Sequence, residues 1–263
     1  MSLPLIILLG AIAGFTIFLG LPFARLKKVA PWVKGLLAML ATGILLYLLV
    51  DVTAKMVEPV GDAFASATKQ SSEMGAGLES LGLMLAGLLL GLVGIVTLTN
   101  KLSKRKVEAG TPQEIGPETL SLVIAIGIGA HNLSEGLAIG QSAATGSLHL
   151  AWLLIVGFGL HNMTEGFGIA GPLSGKPVSW RYLGLLGLIG GGPTFLGTVL
   201  GIGFHSTPLF VFSLAFAAGA IIYVVMELLG SARKYSRLVT VWGLFLGFIL
   251  GLGTDLILTV AGA

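Results

Sequence analysis

Two short stretches carry nitrogen and oxygen donors at a spacing that suits a metal ion. One is His131-Asn132-Leu133-Ser134-Glu135-Gly136. The other, 30 residues on, is His161-Asn162-Met163-Thr164-Glu165-Gly166. Both read H-N-x-[ST]-E-G. On an α-helix, residues four apart lie about 40° apart around the axis and one turn apart along it. His and Glu at i and i+4 therefore point the same way, with Cβ atoms about 6 Å apart. Two such helices packed antiparallel would aim two imidazoles and two carboxylates at one point. That donor set suits Zn²⁺ or Fe²⁺. Asn132 and Asn162 sit about 100° round from their histidines. They are placed to bind the edge of the site, or a second ion sharing the glutamates.

The elements that hold these motifs are apolar. Of 263 residues, 55% are hydrophobic and 10% charged, and mean hydropathy is +0.97. A soluble domain carries about 25% charged residues. A chain this poor in charge cannot cover a water-exposed surface, whereas a lipid-facing one needs none. A spanning helix takes about 20 apolar residues. The apolar segments here are long and nearly contiguous, so barrel strands of about 10 alternating residues do not fit. The sequence predicts an all-α integral membrane protein with eight spans, at about 3–22, 33–54, 76–99, 118–142, 149–171, 182–203, 207–229 and 239–261. Connections are short except for a polar stretch of about 20 residues after the second span and another after the third. Residues 1–263 form one membrane domain in this reading. The first segment lacks a basic flank before it and reads as a span, not a cleaved leader. Cysteine is absent, so thiolate ligation and disulfides are excluded.

Lys and Arg give the orientation. Arg25, Lys27, Lys28 and Lys34 mark the first loop, and Lys101, Lys104, Arg105 and Lys106 the third. Lys176 and Arg181 mark the fifth, and Arg233, Lys234 and Arg237 the seventh. Of the 15 basic residues, Lys55 and Lys69 alone fall elsewhere. The positive-inside rule puts the odd loops in the cytoplasm and both termini outside. The pI of 9.2 does not imply nucleic acid, because these residues lie in short loops and form no patch.

An internal repeat frames the two motifs. Leu9-Gly10-x-Ile12-x-Gly14-x-x-x-Phe18-Leu19-Gly20 matches Leu186-Gly187-x-Ile189-x-Gly191-x-x-x-Phe195-Leu196-Gly197 at an offset of 177. Gly43, Tyr47 and Asp51 match Gly219, Tyr223 and Glu227 at 176. The copies begin five spans apart, so the second runs through the membrane the other way. Inverted repeats place a binding site near the midplane. Asp51 is expected near the outer end of its helix and Glu227 near the inner end of its own, as pathway residues.

The energetics favour a cation at the motifs. An ionisable side chain at mid-bilayer costs roughly 2.5–3.5 kcal/mol on insertion scales. A single His or Glu in a span is more often structural. Two copies of one His-Asn-x-x-Glu set are better explained by ligation, since two adjacent glutamates need a positive charge and neutral histidines add lone pairs. His149 and His205 fall at outer span ends and read as interfacial. Glu79 and Asp255 read as solvated near the outer face, and Tyr47 and Tyr223 as packing or hydrogen-bonding residues. Gly243, Gly247 and Gly251, with Gly87–Gly91 and Gly197–Gly201, recur at the four-residue spacing that lets helix backbones approach closely. The run Gly190-Gly191-Gly192-Pro193 predicts a bend in the sixth span.

At the paired H-N-x-[ST]-E-G motifs the chain resembles the ZIP (Zrt/Irt-like protein) family of divalent metal transporters, in its compact prokaryotic form. The resemblance covers essentially the whole chain and implies an inverted three-two-three helix arrangement. The family's H-N-x-P-E-G falls on His131, Asn132, Glu135 and Gly136, and its counterpart on His161, Asn162, Glu165 and Gly166. It further implies a binuclear-type centre, uptake towards the cytosol and an elevator-like movement in a homodimer. Ser134 and Thr164 replace the family's proline, which predicts straighter helices. Thr194 stands where many members carry a glutamate, which predicts one complete metal position beside an incomplete one. The resemblance makes the metal (zinc, iron, cadmium, manganese or cobalt) a transported substrate and not a resident cofactor, and the chain no enzyme. Two other classes are open on the residues: a membrane-embedded metalloenzyme, which needs a general base that no H-E-x-x-H supplies here, and a proton-coupled carrier with no bound metal.

Overall fold

A computed structural model describes residues 3–26, 30–69, 74–102, 116–144, 148–203, 206–232 and 234–260. Lys27, Lys28, Lys104, Arg105, Lys106, Arg233 and His205 lie outside the described residues, as do the side chains of Lys69 and His149. The described residues fold as helices, in chain order α1 (Leu3–Phe15, carried on by Ile17–Gly20 and a 3₁₀ turn at Leu21–Arg25), α2 (Pro31–Lys69), α3 (Met74–Leu89, continued through a π turn at Leu90–Gly94 into Ile95–Leu102), α4 (Pro117–Ala144), α5 (Leu148–Ala170), α6 (Trp180–Gly201), α7 (Thr207–Ala232) and α8 (Arg237–Val260). Every one of these except α5 includes a described stretch long and apolar enough to cross a membrane. The chain is a multi-pass membrane protein.

The second span differs from its sequence reading. The polar stretch after it is not a loop, because α2 runs on as helix to Lys69 with Pro59 inside it. The reason is a narrow apolar stripe at helical spacing. Met56, Val60 and Ala67 are buried, and the Phe64 ring lies where a side chain on Gly77 would fall. Glu58, Gly61, Asp62, Ala65 and Ser66 face outwards, which makes the segment polar on average while one face still packs. The predicted bend in the sixth span leaves α6 unbroken, helical on both sides of Pro193.

Burial orders the bundle. Some 72% of the apolar window of α4 is buried, against 17% for α3 and 22% for α8. The motif helix α4 is therefore central, and α3 and α8 lie at the rim. Packing is by backbone contact. Along α4 and α6, Gly129 meets Ile189 and Pro193, Gly136 meets Thr194 and Gly197, and Gly140 meets Thr198 and Gly201. The two helices thus run parallel, as two even-numbered spans should. Between α1 and α6 the contacts are reciprocal, with Gly14 and Gly191 each facing the other's carbonyl. Gly43 of α2 faces Gly247 of α8, and Gly219 of α7 faces Gly91 of α3. The α2–α8 pair also carries Tyr47 hydrogen-bonded to Asp255.

Candidate metal centre

The two motifs meet inside the bundle. The rings of His131 and His161 lie 5.9 Å apart, centroid to centroid. Ligand atoms of His131, Glu135 and His161 all fall within 4.8 Å of one another. His131 Nε2 is 3.2 Å from Glu135 Oε1. Glu165 stands slightly apart: its Oε1 is 3.6 Å from His161 Nε2, while its Oε2 accepts a 2.9 Å bond from Asn132 Nδ2. Three of the four expected side chains are thus gathered tightly, and the fourth is held beside them. All four are at most 5% exposed, and Glu165 is fully buried.

The helices are shaped locally by the motif itself. Ser134 Oγ donates to the carbonyl of His131 at 2.6 Å, and Thr164 Oγ1 to that of His161 at 2.7 Å. The residue that replaces proline in each motif therefore ties back to the histidine three places before it. Both helices continue through the motif without interruption.

The asparagines tie the motif helices to their neighbours. Asn132 Nδ2 also donates to Gly190 O of α6 at 3.0 Å, and Asn162 Nδ2 donates to Ala13 O of α1 at 3.0 Å. Both amide oxygens are buried and have no hydrogen-bond partner among the described residues. The same holds for both ring nitrogens of His131, Glu135 Oε2, His161 Nε2, Glu165 Oε1 and Thr194 Oγ1. Of these atoms and Ser174 Oγ, which is also buried without a partner among the described residues, Ser174 Oγ and Thr194 Oγ1 belong to neither motif. Buried polar atoms are nearly always satisfied, and each exception asks for a reason. Most of the atoms concentrated here carry lone pairs, as the donors of a cation site do.

Thr194 is fully buried. Its side chain lies against Gly14 of α1, and its carbonyl faces Gly136 of α4. Asp51 is not open: Lys55 Nζ sits 2.8 Å from its Oδ2, with Asp51 12% and Lys55 40% exposed. Asp255 was expected to be solvated. It accepts a 2.5 Å bond from the Tyr47 hydroxyl, because Tyr47 lies against Gly251, one turn before it. Glu79 is exposed, as expected, and Glu227 is half-buried. The motif pattern alone misses Gly190 O, Ala13 O and Thr254, whose Oγ1 is 3.3 Å from His161 Nδ1. The two carbonyls leave no trace in residue type. Thr254 leaves a faint one, as a small polar residue in a glycine-rich turn.

Asn132 is the hinge of this arrangement, and replacing it should show that. Asn132→Leu keeps the branched shape but removes the donor to both Glu165 and Gly190. Metal affinity, read by isothermal titration, should fall at least about 10-fold. Stability should drop by about 1–3 kcal/mol, because two buried acceptors lose their partner.

A buried cluster of nitrogen and oxygen donors at the centre of a multi-pass helical bundle defines a membrane carrier of divalent cations. A family model described as ZIP Zinc transporter matches residues 95–254, more than half of the chain. The chain belongs to the ZIP zinc transporter family, and it is a metal transporter. No curated protein matches the chain.

Proposed function

We propose that the chain carries a divalent transition-metal ion from outside the cell to the cytosol, held midway by His131, Glu135, His161 and Glu165, with Asn132 and Asn162 at the edge. The observation that carries this is the concentration, on the two motif helices, of buried lone-pair atoms that make no hydrogen bond among the described residues. The residues fit the ion chemically: two imidazoles and two carboxylates, with amide oxygens beside them, suit Zn²⁺, Fe²⁺, Mn²⁺, Co²⁺ and Cd²⁺.

The path runs from Asp51 on α2, through the His/Glu cluster, to Glu227 on α7. Lys55 beside Asp51 makes the entry close to neutral, so the mouth attracts a metal less strongly than a bare carboxylate would. Thr194 at the place of a charged ligand leaves a second metal position incomplete. The membrane potential drives entry: a double charge gains about 4.6 kcal/mol per 100 mV when it crosses the full field. The reciprocal contacts of Gly14 with Gly191, and the paired contacts of Gly43 with Gly247 and Gly219 with Gly91, support an inverted repeat. Such a repeat suits alternating access around a central site. The loop charges support both termini outside, and 1–263 acts as one membrane domain. A homodimer follows from the family resemblance.

Two measurements test this. Elemental analysis of the purified protein should find a divalent metal at about one equivalent or more, lost on chelation. Uptake of ⁶⁵Zn into proteoliposomes should saturate and should rise with an inside-negative potential. Purified protein that binds no metal, yet moves protons, would favour the proton carrier instead.

A further inference from the structure

His161 differs from His131 in one respect that the motifs do not share. Its Nδ1 lies 3.3 Å from Thr254 Oγ1, across the α5–α8 boundary. A threonine hydroxyl has one proton to give. Thr254 Oγ1 is 2.8 Å from Gly251 O on its own helix and 3.4 Å from Leu250 O. Carbonyls only accept, and the shortest of the three contacts takes the proton. The hydroxyl then faces His161 with a lone pair, so the imidazole proton sits on Nδ1. A neutral imidazole carries one ring proton, and Nε2 is left bare. Nε2 is the atom that lies 3.6 Å from Glu165 Oε1 and has no hydrogen-bond partner among the described residues. His131 has no hydroxyl anchor of this kind among the described residues: neither ring nitrogen makes a hydrogen bond there, and its nearest polar contact is Glu135 Oε1, 3.2 Å from Nε2.

We propose that Thr254 is a positioning residue for the metal centre: it holds His161 as the Nδ1–H tautomer and so presents a bare Nε2 to the ion. The inference rests on the reading of this cluster as the metal site. A partner that fixes the tautomer and ring angle of a ligating histidine typically carries a large share of the affinity. Here that partner comes from neither motif helix. It comes from α8, whose next residue, Asp255, accepts from Tyr47. One turn of α8 therefore ties the metal centre to the cluster of Tyr47, Asp51 and Lys55.

The test uses the full chain in lipid nanodiscs with ¹⁵N-labelled histidine, the His161 signals assigned by their loss in His161→Gln. In the metal-free wild type, Nδ1 of His161 should show the protonated, pyrrole-type shift and Nε2 the bare, imine-type shift. In Thr254→Val the two forms should mix, and Zn²⁺ affinity should fall by about 10–100-fold. Thr254→Ser keeps the hydroxyl and should restore both. A wild-type His161 protonated on Nε2 overturns the proposal without any variant, even if Thr254→Val fails to fold. So does a Thr254→Val protein with wild-type tautomer and affinity. A wild type with the Nδ1–H form that nonetheless binds no Zn²⁺ supports the tautomer assignment and sinks the metal reading.

Discussion

Glu135→Gln combined with Glu165→Gln will reduce ⁶⁵Zn uptake into proteoliposomes to the protein-free background. Both carboxylates are buried against the paired histidines. Each supplies negative charge that no other described side chain of the two motifs replaces. Loss of a partner to a ligand costs about 10–100-fold in metal affinity, so loss of two charged ligands costs more. The substitution keeps shape and removes charge. The metal-free protein should therefore melt no lower than wild type, because two like charges no longer share a buried site. The gain from metal is what disappears: at a zinc concentration about 100 times its Kd, the wild type is stabilised by about 2.7 kcal/mol, and the double variant should show none of this. Uptake that survives the double substitution would remove these glutamates from the pathway.

The second large effect concerns packing. Gly247→Ala should destabilise the protein by roughly 1–3 kcal/mol, the usual cost of forcing atoms into a filled space. The added Cβ would meet the Leu40 carbonyl and lie 3.0 Å from Gly43 Cα. Both obstacles are backbone, so α2 and α8 must separate along their length, since no side chain there is free to turn aside. Gly253→Ala, six residues on in the same helix, meets nothing within 4 Å. It should stabilise by about 0.5–1 kcal/mol, since alanine restricts the unfolded chain and suits a helix better than glycine. Thermal or denaturant melts in detergent would register the opposite signs. Equal effects at the two positions would show that glycine content, and not the α2–α8 contact, governs stability here.

Much of the molecule is legible along the chain. Low charge and long apolar segments predict the helices, because lipid leaves no other way to satisfy the backbone of a contiguous apolar span. Two copies of His-Asn-x-x-Glu locate the candidate site, because helical geometry alone puts residues four apart on one face. The extension of α2 to Lys69 is less legible. Its stripe of Met56, Val60, Phe64 and Ala67 is one residue wide and diluted by exposed polar neighbours, so composition reads it as a connection.

The sequence by itself determined the spans, the gathering of basic residues in alternate connections and the donor-bearing faces of two helices, since each is a local property of charge, length or helical period. The tertiary structure alone decided which helices become neighbours. That choice gathers His131, Glu135 and His161 while Asn132 holds Glu165 to one side. It brings Asp255 to Tyr47 and Thr254 to His161, pairs separated by 208 and 93 residues. The physical reason is that glycine-lined backbones settle at contact distance only in certain pairings, and a hydroxyl or carboxylate at the edge of such a pairing acquires its partner only when the two helices have met.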